Sequence, residues 1–156
     1  MLLYLVRHAE AKKEEEDPER GLTLKGLSDI EKAGRLAAKR NARVRVILHS
    51  SKKRARETAE VLARHLNPGI VAESDGLNPL DDPKIWFKRL SIADDDMMLV
   101  GHMPHLSILA SFLLNGDAEK GAIDFMTAGI VCFKKLGAGA WAVDWTTMPQ
   151  ASSKKP

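Results

Sequence analysis

Short apolar runs alternate with longer segments of mixed polarity along the chain. The first run, LLYLV at residues 2–6, is continuously apolar, which is typical of a strand that is covered on both faces. Comparable runs occur at 44–48 (VRVIL) and 97–100 (MMLV), and a shorter one lies at 70–73. The pattern therefore predicts four short β-strands, separated by stretches that are long enough for helices.

In those stretches apolar residues recur every three or four positions, the period of an amphipathic helix. The recurrence predicts helices over about 24–40 and 52–66, a short helix over 84–93, and a fourth helix that starts at Pro104. The predicted inner stripes of the first, second and fourth helices are Leu27, Ile30, Ala33 and Ala37; Ala55, Ala59, Leu62 and Leu66; and Leu106, Leu109, Ala110 and Leu113.

Residues that favour helix ends support these boundaries. Thr23 is placed to cap the first helix, and Ser50 or Ser51 is placed to cap the second. Pro104 suits the first position of the fourth helix, and NGD at 115–117 ends it.

The last part of the chain has a different pattern. Residues 128–145 predict a hairpin of two strands around LGAG. Strands that alternate with helices indicate a single three-layer α/β domain with a mostly parallel, mixed sheet. We expect this domain to cover residues 1–150, with a C-terminal tail at 151–156.

Composition and charge narrow the function classes. Hydrophobic residues make up 44% and charged residues 29%, a balance typical of a soluble domain. The net charge is +3, and ten basic residues with no acidic one lie within 32–56. That stretch is either a solvated face or a field that attracts phosphate-bearing partners. The apolar start is too short for a signal peptide, and Cys132 stands alone in an apolar run, so we expect a cytoplasmic protein with no membrane partner.

Candidate chemistry collects where three predicted strands end. Arg7 and His8 follow the first, 49–51 (HSS) follows the second with Arg54 one turn later, and His102 follows the fourth. The carboxyl ends of parallel strands meet at one edge of a sheet. Arginine offers a fork of donors that matches phosphate oxygens, and histidine can act as a nucleophile. The set therefore predicts a site for a phosphoryl group.

Other histidines have simpler interpretations. His102 and His105 have a spacing that zinc ligands use, but Pro104 intervenes and no thiol or carboxylate is near in sequence, so we expect no metal. We expect His105 on the surface of the fourth helix or at the pocket rim. His65, late in the second helix, is favourable near a helix C-terminus.

Three segments carry a resemblance to a known family. YLVRHAEA, HSSKKRARETAEVL and VGHMPHLS resemble, in order, the signature segments of the histidine phosphatase superfamily, which has the phosphoglycerate-mutase-like fold. The length and the RHAEA and RGLTLKG segments most resemble SixA-type phosphohistidine phosphatases. The resemblance spans about residues 2–146. Ala9 replaces the usual glycine, and Ser51 replaces the usual proline.

The resemblance implies roles for individual residues. His8 would attack phosphorus and become phosphorylated, while Arg7, Arg54 and His102 would hold the phosphoryl oxygens. Arg20 and Ser50 are further candidates for contact with the substrate. No metal or cofactor is implied.

A general acid is harder to assign. Asp81 and Asp82 lie in a turn-rich segment where aspartate is commonly structural, and Glu10 follows His8 closely but need not face the pocket. None of these residues is a strong candidate for the general acid. This favours phosphohistidine in a partner protein as substrate, because the leaving group of a phosphoramidate needs less protonation than that of a phosphate ester. The alternatives are a small phosphomonoester, such as a phosphosugar or nucleotide, and a non-catalytic module that binds phosphate or nucleic acid. Few aromatic residues (5%) and no nucleic-acid motif argue against nucleic acid as a partner.

Overall fold

A six-stranded mixed sheet organises the residues that the computed structural model describes, 1–118 and 123–149. In chain order its elements are β1 (Leu2–Arg7), α1 (Leu24–Lys39), β2 (Val46–His49), α2 (Lys53–Leu66), β3 (Ile70–Glu73), α3 (Pro83–Ile92), β4 (Met97–Gly101), α4 (His105–Asn115), β5 (Ile130–Lys135) and β6 (Trp141–Thr147). The predicted strands, helices and terminal hairpin are therefore confirmed. The predicted tail, 151–156, and the boundary at 150 lie outside the described residues.

The order of strands in the sheet is β3-β2-β4-β1-β5-β6. The first four strands of the chain are parallel, β5 runs antiparallel to β1, and β6 runs antiparallel to β5. Arg7 is paired with Gly101, and His49 with Val100. This register brings the carboxyl ends of β1, β2 and β4 side by side, as the prediction of a common site requires.

Alternate side chains of β1 enter two hydrophobic cores. Tyr4 and Val6 pack with α1 and α2 on one face of the sheet, whereas Leu3 and Leu5 pack with α3 and α4 on the other. All four are at most 1% exposed. The continuous apolar run is explained by this double burial, and it makes β1 a rigid support for the residues that follow it.

The inner face of α1 differs from the predicted stripe. Leu27 is exposed, and Gly26 and Gly34 are buried among the inner residues. Gly26 lies against the backbone carbonyl of Glu10, and Gly34 lies against the ring of His65. Close approach to these neighbours requires residues without a side chain.

The starts of α2 and α4 also differ from the predicted ones. The residue that caps α2 is Lys52, without a side-chain hydrogen bond, so the prediction of a Ser50 or Ser51 cap is wrong. Ser50 Oγ instead lies 2.6 Å from His102 Nε2, and it also accepts a longer hydrogen bond, 3.3 Å, from the Lys52 amide. Pro104 precedes α4 rather than opening it, and its peptide bond with Met103 is cis. The Thr23 cap of α1 is confirmed, since its Oγ1 accepts from the Gly26 amide at 2.9 Å.

Two remaining expectations concern the interior and the membrane. Cys132 is fully buried with a free thiol, as predicted. Within residues 1–118 and 123–149, no helix combines the length and the apolar character needed to cross a membrane.

Substitution of Gly26 tests the close contact between α1 and the loop after β1. Alanine usually stabilises a helix interior relative to glycine, but here its methyl group collides with the Glu10 carbonyl. We expect Gly26→Ala to lower the free energy of unfolding by about 1–3 kcal/mol in urea denaturation. Gly137→Ala is the control, because nothing lies within 4 Å of the added methyl group. Equal stability of the two variants would contradict the packing described.

Candidate active site

A pocket of about 370 Å³ opens at the carboxyl ends of β1 and β4. All four residues predicted to be catalytic line it, and so does Arg20. The full lining is Arg7, His8, Glu10, Ala11, Arg20, Arg54, Pro79, His102, Met103 and Thr127. The structure therefore brings together residues from six separate segments of the chain.

The backbone and ring of His8 are both fixed by hydrogen bonds. Its amide donates to the Gly101 carbonyl at 3.0 Å, and its own carbonyl accepts from the Ala128 amide at 3.1 Å. Its ring Nδ1 lies 2.7 Å from the Ala9 carbonyl oxygen. A carbonyl can only accept, so Nδ1 carries the proton and Nε2 of the neutral ring keeps its lone pair. Nε2 is therefore the nucleophilic atom of this side chain.

Burial, together with the positive charges of Arg54, Arg7 and Arg20, lowers the pKa of His8 to about 4, against the raising effect of the hydrogen bond with Ala9. The side chain is thus neutral at neutral pH. A neutral imidazole is the form that can attack phosphorus, so no separate base is needed to deprotonate His8.

A relay of two hydrogen bonds joins the His8 segment to α2. The Ala9 amide donates to Thr58 Oγ1 at 2.9 Å, and the Thr58 hydroxyl donates to the Arg54 carbonyl at 2.8 Å. Ala9 is fully buried, and the interior accommodates its methyl group. Thr58 was not among the predicted site residues, although it lies in the same RARETA segment as Arg54.

Two of the three arginines that line the pocket, Arg7 and Arg54, have unused donors. Arg7 Nη1 donates to the Phe125 carbonyl at 2.8 Å, which fixes the guanidinium group. The Nε atoms of Arg7 and Arg54 are buried and have no hydrogen-bond partner among the described residues. Burial lowers the pKa of both side chains. Buried cationic donors without partners are energetically costly, and an anion in the pocket removes that cost.

His102 packs beside His8 in the pocket wall, and its ring is held by Ser50. The two rings have centroids 5.0 Å apart, and Ser50 Oγ lies 2.6 Å from His102 Nε2. Burial first, then the charges of His8 and Arg54, lowers the pKa of His102 to about 3. Ser50 is fully buried and does not line the pocket, so the structure places it against His102 rather than against a substrate.

Arg20 reaches the pocket from the loop between β1 and α1. Its backbone has a φ of 54°, and its amide donates to the Asp17 carbonyl at 2.8 Å. Its Nε donates to the Lys12 carbonyl at 3.0 Å. A left-handed conformation at a residue with a side chain is uncommon and indicates a locally constrained loop. This loop turns Arg20 towards His8.

Of the three candidate acids, the structure places one in the pocket. Glu10 lines it and accepts a hydrogen bond from Thr23 Oγ1 at 2.7 Å. Asp81 accepts from the Asn78 amide, and Asp82 caps α3 by accepting from the Lys84 amide. Neither aspartate lines the pocket, so both act as turn and cap residues here.

His105 does not lie at the surface or the pocket rim, and that expectation is wrong. Its side chain is 1% exposed, and burial lowers its pKa. Its ring faces the Gly76 carbonyl without hydrogen-bond geometry. No group of three or more histidine, cysteine, aspartate or glutamate residues suited to a metal occurs within 1–118 and 123–149.

Comparison with known proteins assigns the family. The sequence profile of the histidine phosphatase superfamily (branch 1) matches residues 3–81, half of the chain. The chain belongs to the histidine phosphatase superfamily. The match includes the segments that carry His8 and Arg54, and it identifies the protein as a phosphatase. No curated protein sequence matches significantly.

Solved structures of histidine phosphatases share the fold over nearly the full length. The protein histidine phosphatase SixA, complexed with tungstate, is 22% identical, with a TM-score of 0.84 over 96% of this chain and 97% of that one. A protein assigned as the phosphohistidine phosphatase SixA of Agrobacterium tumefaciens is 26% identical, with a TM-score of 0.79 over 95% and 97%. A mycobacterial glucosyl-3-phosphoglycerate phosphatase is 16% identical, with a TM-score of 0.71 over 92% and 97%.

The ionisation of His8 can be measured by NMR titration of the labelled imidazole. We expect a midpoint of about 4 in the free enzyme, since burial and the arginines oppose protonation. Arg54→Gln should raise the midpoint, because it removes a nearby positive charge. The folded pKa lies below the ordinary value, so this group makes the fold less stable as the pH falls from about 6.5 towards 4. A midpoint near 6.5 in the wild type would contradict the described environment.

Proposed function

We propose that this histidine phosphatase removes the phosphoryl group from phosphohistidine in a partner protein, by way of a phosphohistidine intermediate on His8. The observation that carries the proposal is the pocket itself. It sets the neutral Nε2 of His8 among buried arginine donors that lack partners. This arrangement suits a phosphoryl group as both ligand and reactant.

In the first step the Nε2 lone pair of His8 forms a bond to phosphorus. The phosphorus–nitrogen bond of the substrate breaks, and its electron pair goes to the departing imidazole, which takes up a proton from solvent. The ring of His8 gains positive charge as it attacks. The hydrogen bond from its Nδ1–H to the Ala9 carbonyl oxygen stabilises that charge.

Three side chains hold the oxygens of the transferred group. Arg7 and Arg54 present guanidinium donors, and His102 lines the pocket beside His8. Charge on the phosphoryl oxygens is stabilised by donors that are already in position, so little reorganisation is needed during the reaction. Ser50 acts as a positioning residue, because its hydroxyl fixes the ring of His102.

In the second step water attacks the phosphorus atom of the intermediate. The bond to His8 Nε2 breaks, and its electron pair returns to the ring, which becomes neutral again. The product is inorganic phosphate, and the proton from water is released to the phosphate or to solvent. The low pKa of His8 favours this return to the neutral ring.

The choice of substrate depends on whether the leaving group must be protonated by a general acid. Among the described residues that line the pocket, Glu10 is the one carboxylate, and it is engaged by Thr23. An alkoxide leaving group requires strong protonation, whereas an imidazole leaves more readily. The similarity to SixA structures supports the same assignment. A small phosphate ester is the second candidate substrate, because the mycobacterial glucosyl-3-phosphoglycerate phosphatase has the same fold.

A substrate comparison with a His8→Ala control tests the proposal. We expect the wild-type enzyme to hydrolyse a phosphohistidine protein with a higher kcat/KM than any phosphosugar, nucleotide or alkyl phosphate in a panel. His8→Ala should lose the activity, because no nucleophile remains.

Two results would contradict the proposal. Turnover that persists in His8→Ala would exclude His8 as the nucleophile. Efficient hydrolysis of phosphate esters without hydrolysis of phosphohistidine would assign the second candidate substrate instead.

A further inference from the structure

A second groove adjoins the catalytic pocket and is larger, at about 510 Å³. It lies between the start of α2 and the loop that precedes α1, and it shares Arg20 and Arg54 with the pocket. Its lining is Glu14, Pro18, Glu19, Arg20, Ser51, Lys52, Lys53, Arg54 and Arg56. We refer to this surface as the basic groove. Apart from Arg20 and Arg54, the residues of the basic groove have no role in the proposed phosphoryl transfer.

The charge of the basic groove is strongly unbalanced, with five cationic side chains and two carboxylates. Lys52 and Arg56 are exposed and one turn apart on the same side of the start of α2. The ion pairs in the groove are long: Lys53 Nζ lies 3.8 Å from Glu19, and Arg56 Nε lies 3.9 Å from Glu60. Within the described part of the chain, no hydrogen bond or ion pair engages the Lys52 ammonium group. The cations therefore remain available to an anionic ligand.

The arrangement of these cations favours carboxylates that are spread along a polypeptide. A single phosphate is bound by donors that converge, as in the catalytic pocket, whereas Lys52 and Arg56 are displaced along the helix. Among the described residues, no aromatic side chain lines the groove, so these residues offer the bases of a nucleic acid no surface on which to stack. We propose that the basic groove binds acidic side chains of the partner protein that flank its phosphohistidine. This inference rests on the proposed function and adds a preference for acidic sequence around the target residue.

The expected effect is one of recognition rather than chemistry. Exposed ion pairs contribute little each, and salt screens them. Charges at an interface rim mainly change association rates and selectivity. Acidic partners should therefore show a higher kcat/KM at low ionic strength, and this advantage should shrink as salt is added.

The test compares two synthetic phosphohistidine peptides of equal length, one flanked by Asp and Glu and the other by Ser and Gln. The readout is the ratio of kcat/KM for the acidic peptide to that for the neutral peptide, in which general effects on the chemistry cancel. The groove variant is K52E/R56E. The matched control is K84E/K88E, which makes the same change in net charge at exposed positions of α3.

We expect a wild-type ratio of about tenfold at low salt, as several weak rim pairs would give together. K52E/R56E should reduce the ratio to about one or below, and K84E/K88E should keep it. A wild-type ratio near one, or an unchanged ratio in K52E/R56E, would overturn the inference. Slower hydrolysis of a bisphosphate ester, but not of the acidic peptide, in K52E/R56E would also overturn it.

Failure of the proposed function is recognised separately, by an enzyme that hydrolyses phosphate esters but neither peptide. Binding of the unphosphorylated acidic peptide, followed by fluorescence anisotropy at low salt, then tests the groove independently. Weaker binding to K52E/R56E than to the wild type and to K84E/K88E would support the groove. Equal binding to all three proteins would overturn it.

Discussion

The hydrogen bond between the His8 amide and the Gly101 carbonyl, 3.0 Å long, is the constraint on which the site depends. It continues the parallel pairing of β1 with β4 by one residue beyond Arg7 and Gly101. His8 and His102 are therefore carried to the same point by two central strands, and their rings lie 5.0 Å apart. Because β1 is buried on both faces, this placement is supported by both hydrophobic cores at once.

The pocket carries an electrostatic cost, because it holds positive charges and buried polar groups close together. Arg7 and Arg54 are partly buried with unused donors, and two histidines are kept neutral by burial and by these positive charges. Such an assembly lowers the stability of the free protein, and functional sites commonly carry such costs. A phosphoryl group reverses each effect, since its negative charge and oxygen atoms match the cations and donors that surround it. The same features that lower the stability of the fold thus favour binding of the transferred group.

Much of the fold follows from local patterns in the sequence. The apolar run of β1, the helical stripes and the LGAG hairpin are each determined by near neighbours, so periodicity predicts them. Strand order then brings Arg7, His8, Arg54 and His102 together, because each follows a strand end or lies at the start of the next helix. These parts of the site were predictable from residue type and position alone.

The features that the sequence did not predict depend on contacts between distant segments. Gly26 replaces Leu27 at the inner face of α1 because the Glu10 backbone comes close. Ser50 leaves its expected cap because His102, 52 residues later, offers a hydrogen bond. His105 is buried against a loop whose path no local pattern shows. Arg7 is fixed by the Phe125 carbonyl, 118 residues away.

The most direct test of the account is to trap the phosphorylated enzyme and identify the atom that carries phosphate. Phosphohistidine substrate would be mixed with the enzyme, the reaction quenched in base, and the modified residue located by mass spectrometry and assigned by NMR. We expect phosphate on Nε2 of His8, because Nδ1 donates its proton to the Ala9 carbonyl. Phosphate on Nδ1, phosphate on another residue, or turnover with no phosphorylated enzyme would contradict it.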